Sequence, residues 1–168
     1  MDFMVIVYQS NTGFTKEYAE MLAKAEKLKA YEYDTAQLPE GTEVFYMGPL
    51  MAGHITGVDK AIKQFNVVGV CGVGMSPPGQ DVLYTLSKAN AVPNAPIFYL
   101  QGGWAPKKVS WFKRRAVNMV TRNFRESLLA KKKRTQYEQA NLDMLLNGGS
   151  FVAYENLKTI RKWMSERI

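Results

Sequence analysis

Residues Phe3 to Tyr8 read Phe-Met-Val-Ile-Val-Tyr, an unbroken apolar run built largely from strand-forming side chains. A strand with one wet face alternates polar and apolar residues. A run without alternation points instead to burial on both faces, as in a parallel sheet covered by helices. Val67 to Val73 repeats the pattern. Val44 to Met47, ended by Gly48-Pro49, then Pro96 to Leu100 and the weaker Ala30 to Asp34 are further strand candidates. Helical spacing fills the intervals. Tyr18, Met21, Leu22, Ala25 and Leu28 form one stripe within Thr15 to Leu28. Gly57 to Phe65 and Asp81 to Ala91 also read as helices, the former with Thr56 and Asp59 at capping-box spacing. Strands alternating with helices in this way predict an α/β fold with helices on both faces of the sheet.

After Gln101 the pattern changes. Val109, Phe112, Ala116, Met119, Val120 and Phe124 recur at helical spacing among basic residues, and Gln136 to Leu146 continues as helix. Gly148-Gly149 breaks it, Phe151 to Tyr154 is short and apolar, and Glu155 to Arg167 closes the chain as a helix carrying Leu157, Ile160 and Met164 on one face. The expectation is one domain over residues 1–168 with a basic helical extension at about 105–147.

Charge singles out the same extension. Of a net +7, the stretch from Lys107 to Arg134 carries +10, from 11 lysines and arginines against one acid, Glu126, which leaves −3 for the rest. Such a patch attracts nucleic acid, anionic lipid or an acidic partner. No nucleic-acid motif accompanies it, so nucleic acid ranks last. Lys131 to Arg134 reads as a solvated turn rather than a targeting signal.

Other classes are excluded by counting. One cysteine rules out a disulfide scaffold, and one histidine argues against a His-rich metal site. Cys71, within an apolar strand, reads as a buried small hydrophobe. No apolar run approaches 20 residues, so no membrane-spanning helix is expected. Met1 to Val5 lacks a basic n-region, which favours a cytoplasmic setting.

The most specific motif is Ser10-Asn11-Thr12-Gly13-Phe14-Thr15, between a buried strand and a helix. Unpaired amides and the helix dipole favour an anion there. Ser10, Thr12 and Thr15 add hydroxyl donors without positive charge, and Gly13 lets the backbone turn tightly. The segment suits a phosphate monoester, and equally an ordinary Ser/Thr-capped helix start. It has neither G-x-G-x-x-G nor G-x-x-x-x-G-K-[ST], and Gly72-Val73-Gly74 is a lone G-x-G.

Ser10 to Thr15 resembles the phosphate loop of the flavodoxin family, [ST]-x-T-G-x-T after the first strand, at every fixed position. The resemblance covers nearly the whole chain. It implies a doubly wound five-stranded parallel sheet in the order 2-1-3-4-5, with FMN at the carboxyl ends of the strands. It also implies two loops around the flavin ring, here Gly48 to Gly57 and Gly74 to Gln80. Leu50, Met51, Ala52, Gly53 and His54 would cover one face, with Gly53 as the flexible peptide near the ring edge. Gly74, Met75, Ser76 and Pro77 would supply the other. Many flavodoxins carry Trp or Tyr in these loops; this chain has neither, and Trp104 is the aromatic that could reach the site instead. His54 is a candidate proton donor during flavin reduction.

The segment from Gly102 to Arg115 is similar to the extension of short flavodoxin-type proteins related to menaquinone-dependent protoporphyrinogen oxidase, and Met51-Ala52-Gly53-His54 is similar to their turn after the third strand. Those proteins oxidise a porphyrinogen with FMN and pass electrons to a membrane quinone. The leading expectation is therefore an FMN-dependent oxidoreductase working between a reduced substrate and a quinone or other acceptor. Its basic segment could meet a tetrapyrrole carboxylate or an anionic membrane, making the protein peripheral there. The plainer expectation for Phe112, Ala116, Met119 and Val120 is that they pack a helix on the sheet. An electron-carrier flavodoxin and a flavin-less scaffold are the alternatives.

Overall fold

The apolar runs become neighbouring strands. In the computed structural model, which describes residues 3–167, β1 (Val5–Tyr8) lies between β2 (Ala30–Glu32) and β3 (Glu43–Met51), and β5 (Asn66–Gly74) and β6 (Ile97–Gln101) follow beyond β3. Every pair in the order β2-β1-β3-β5-β6 is parallel. In this sheet, among the described residues, only the two-residue β4 (His54–Ile55) runs antiparallel, against the end of β3. With β4 set aside, the five parallel strands stand in the order 2-1-3-4-5, the flavodoxin-like doubly wound arrangement.

Alternate residues serve opposite faces, which is why the runs contain no polar positions. Ile6 and Tyr8 join Phe45, Met47, Cys71 and Leu100 against α1 (Phe14–Glu26) and α7 (Lys158–Ser165). Val7, Val44, Tyr46 and Val70 meet α2 (Val58–Gln64) and α3 (Gln80–Ala89) on the other side. Tyr18 and Leu22, one helical turn apart on the α1 stripe, are wholly buried. Burial on that scale contributes about 1.5–3 kcal/mol per large side chain.

Two local expectations need correction. Gly48-Pro49 does not end β3. The strand runs on to Met51 and reverses through Ala52 and Gly53 into β4, with Leu50 opposite Ile55 and Met51 opposite His54. Ala52 and Gly53 have φ of +50° and +80°, the two positive values that a type I′ hairpin turn requires. The Thr56–Asp59 capping box does not form either. The residue before α2 is Gly57, at φ +84°, and no side chain caps that helix.

Two compact units divide the chain: one runs to Gly102 and resumes at Val152, and the other is Gly103–Phe151. The second contains the antiparallel pair β7 (Gly103–Trp104) and β8 (Gly149–Ser150), with α4 (Trp111–Val120), α5 (Arg122–Ala130) and α6 (Gln136–Asn147). The helical pattern from Val109 to Phe124 is broken at Thr121, whose hydroxyl bonds back to the Val117 carbonyl at 2.8 Å, a bond that bends helices. A complete capping box of Thr135 and Glu138 starts α6. Lys131 to Arg134 forms an irregular link between α5 and α6.

α4 contradicts its expected packing. It has no buried residue, and Phe112, Met119 and Val120 are 77%, 76% and 83% exposed. The apolar stripe read from the sequence is real, but its side chains are exposed. Among the described residues, no helix is long and apolar enough to cross a membrane.

Candidate functional site

The chain leaves the sheet beside β3, where the Gln9 N–H donates to the Met47 carbonyl at 3.0 Å. Ser10 Oγ then accepts the Gly13 N–H at 3.1 Å and closes a tight turn. Gly13 has φ +105° and is itself the N-cap of α1, with no side-chain cap on the helix. A Ser/Thr-capped start is therefore not what the segment builds. The amides of Phe14, Thr15 and Lys16 head the helix with no acceptor inside it. Thr15 is buried, whereas Asn11 and Gly13 are exposed. No lysine or arginine lies between Ser10 and Thr15; Lys16 is solvated and sits 4.0 Å from Glu20. The turn can thus hold an oxyanion through amides, hydroxyls and the helix dipole rather than through a cation. It also stands where the strand order reverses, with β2 on one side of β1 and β3 on the other, the crevice in which such sheets take ligands.

The end of β6 packs closely on this corner. A Cβ on Gly102 would lie 2.7 Å from Val73 Cγ1 and 3.1 Å from Phe14 Cβ, so glycine is what lets the two backbones approach. The segment after β5 is fixed one carbonyl at a time. Gly74 O accepts the Gly102 N–H at 2.7 Å, Met75 O accepts Gln101 Nε2 at 3.0 Å, and Ser76 O accepts the Tyr99 hydroxyl at 2.6 Å. Gly74, Met75 and Ser76 therefore form a held wall rather than a loose loop.

The hairpin after β3 is held too. Gly53 O accepts Asn90 Nδ2 at 3.0 Å, and Asn90 Oδ1 accepts the Ile55 N–H at 2.9 Å. A flip of the Gly53 peptide would break this bond to the buried Asn90 side chain. Leu50 lies over β5: a Cβ added at Gly72 would sit 2.8 Å from one of its methyls, and one added at Gly74 would sit 3.0 Å from the other. Met51 is 57% exposed at the hairpin, and Ala52 is exposed with it. His54 Nε2 lies 3.2 Å from Asp59 Oδ2, an exposed pair of small energetic weight. Pro77 is exposed. Trp104 belongs to the second unit, in β7, opposite Gly149.

Two buried groups near these elements serve structure. The Tyr18 hydroxyl donates to Gln101 O at 2.7 Å and accepts Asn156 Nδ2 at 2.8 Å, while burial raises its pKa. Cys71 is fully buried, and burial pushes its thiol far above the usual range, leaving no reactive thiolate. A groove of about 330 Å³ runs along β6, lined by Pro78, Gly79, Leu83, Tyr99, Asn156 and Thr159 among others, and does not include the Ser10–Thr15 turn.

Reading the sequence missed Asn90, Tyr99 and Gln101, which hold the two walls. Gln101 carried one usable signal, a polar residue directly after an apolar strand. Asn90 and Tyr99 carried none, because their bonds go to backbone atoms distant in sequence.

No protein-family model matches the chain, and no curated protein matches it in sequence. Among solved structures, it is similar to a chain from Bacteroides uniformis ATCC 8492 provisionally described as a flavoprotein, at 15% identity and a TM-score of 0.40, covering 66% of this chain and 97% of that one.

Proposed function

We propose that the chain binds FMN at the carboxyl ends of β1, β3 and β5 and works as an FMN-dependent oxidoreductase of flavodoxin type. One observation carries the reading: the Ser10–Thr15 turn, with a glycine N-cap at φ +105° and no competing side-chain cap, sits at the reversal point of a 2-1-3-4-5 sheet. The donor set fits a phosphate monoester. Ser10 holds the turn through the Gly13 amide, Thr12 and Thr15 carry hydroxyls, and the amides of Phe14 to Lys16 head the helix at the corner.

Bound there, FMN would supply hydride and single-electron transfer. In this reading Leu50, Met51, Ala52, Gly53 and His54 stand on one side of the ring and Gly74, Met75, Ser76 and Pro77 on the other. With their carbonyls bonded to β6, Gly74 to Ser76 would offer the ring edge a wall of fixed position. No side chain is assigned as general acid or base. The acceptor would be a quinone or another oxidant. A tetrapyrrole donor, as in the proteins related to menaquinone-dependent protoporphyrinogen oxidase, rests on the sequence resemblance alone.

Titration of the purified protein with FMN, followed by flavin fluorescence, tests the reading. Replacing Thr12→Ala together with Thr15→Ala should weaken binding by about 1–3 kcal/mol in total. Unchanged affinity would remove the cradle. A flavin-less scaffold is the second reading, favoured by the bond that already engages the Gly53 carbonyl; a protein that takes up no FMN would support it.

A further inference from the structure

We propose that α4 docks the protein on an anionic lipid surface. A helix packed within a protein hides its apolar stripe; α4 does the reverse. Phe112, Ala116, Met119 and Val120 fall on one side at helical spacing, all are exposed, and Trp111, at 52% exposure, stands beside them. The Arg115 guanidinium lies 5.0 Å from the Trp111 ring centroid, so cation and aromatic share one surface. An exposed apolar stripe of this kind marks an interaction site.

Charge identifies the occupant. The Gly103–Phe151 unit holds 11 lysines and arginines against three acids, a net +8, which leaves −1 for the rest of the chain. Three of these arginines are spent on structure: Arg114 bonds Pro106 O, Arg125 bonds Asn118 O, and Arg134 bonds Leu128 O. Lys107, Lys113, Lys132 and Lys133 enter no ion pair among the described residues. A second copy of the same face would set +8 against +8. Nucleic acid would answer the charge but leave Phe112, Met119 and Val120 against phosphate. An anionic bilayer satisfies both halves, since the apolar stripe enters the acyl boundary while lysines and Arg115 meet headgroup phosphates.

The test is sedimentation of the full-length protein with phosphatidylcholine vesicles, with and without a third of phosphatidylglycerol. Two variants are compared: Phe112→Ser with Met119→Ser and Val120→Ser, and Lys113→Gln with Arg115→Gln, Lys132→Gln and Lys133→Gln. All these positions lie outside the packed interior, and far-ultraviolet circular dichroism checks that both variants are folded. Binding should require phosphatidylglycerol, and each variant should lower the partition coefficient by at least about tenfold. Three results would overturn the proposal: no binding to anionic vesicles, equal binding to both vesicle types, or wild-type binding by the folded charge variant. A dimer in sedimentation velocity that the serine variant dissolves would assign the face to a second copy instead.

Discussion

The Tyr46 hydroxyl donates to the Thr56 carbonyl at 2.7 Å, in the place of an N–H that Pro49 lacks. Paired antiparallel residues exchange two backbone bonds. Thr56 gives its half, N–H to Pro49 O at 2.9 Å, and Pro49 has none to return. A phenol three residues back in β3 fills the gap. A Cβ on Gly48 would sit 2.6 Å from the same Thr56 carbonyl, which leaves room there only for glycine. The relationship predicts coupling. Tyr46→Phe should cost about 1–3 kcal/mol, because it orphans a partly buried carbonyl. In a Pro49→Ala background, where a backbone N–H is restored, the same change should cost less by about 1 kcal/mol. Urea unfolding of the four proteins measures the difference; strict additivity would contradict the account.

The same tyrosine sets an alkaline limit. Burial raises its hydroxyl far above the ordinary 10.0, with Tyr33 and Asp34 adding to the effect. Above pH 10 the unfolded chain sheds this proton while the folded chain keeps it. The unfolded state then binds fewer protons, so stability falls as pH rises, and all of this contribution is present below pH 10. Tyr46→Phe should reduce that slope by up to about 1.4 kcal/mol per pH unit. Denaturant midpoints measured across the alkaline range would show it; parallel curves would count against it.

Gly57 and Gly41 separate backbone strain from crowding. Both have positive φ, +84° and +79°. A Cβ at Gly41 meets nothing within 4 Å, whereas at Gly57 it would run into the Tyr46 hydroxyl and lie 2.5 Å from Gln9 Oε1. Gly41→Ala should cost about 1–2 kcal/mol, from the left-handed backbone alone. Gly57→Ala should cost about 1–3 kcal/mol more through overpacking. Thermal unfolding of the two variants gives the comparison, and equal losses would refute it.

Much of the sheet was legible because its strands are buried on both faces, so Phe3 to Tyr8 and Val67 to Val73 carry unbroken apolar runs. The phosphate-loop candidate was legible because strand, glycine and hydroxyls are contiguous. The hairpin was not. Gly48-Pro49 carries the composition of a terminator, yet β3 continues through it, paired with Gly72 and Val73 of β5 on one side and tied to Thr56 by Tyr46 on the other. The direction of α4 was equally hidden. Its periodicity gives a stripe but not what the stripe faces, and Phe112 and Met119 would read the same in a core. Asn90 lies outside every motif, yet it ties the hairpin down through Gly53 and Ile55.

The central claim is that the Ser10–Thr15 turn holds a phosphate ester without a cation, and comparing FMN with riboflavin tests it most directly. The two ligands share a ring and differ by the phosphate alone. Calorimetric titration should show FMN binding at least about tenfold more tightly, a difference of about 1.4 kcal/mol or more. Equal affinities, or no heat with either ligand, would contradict it.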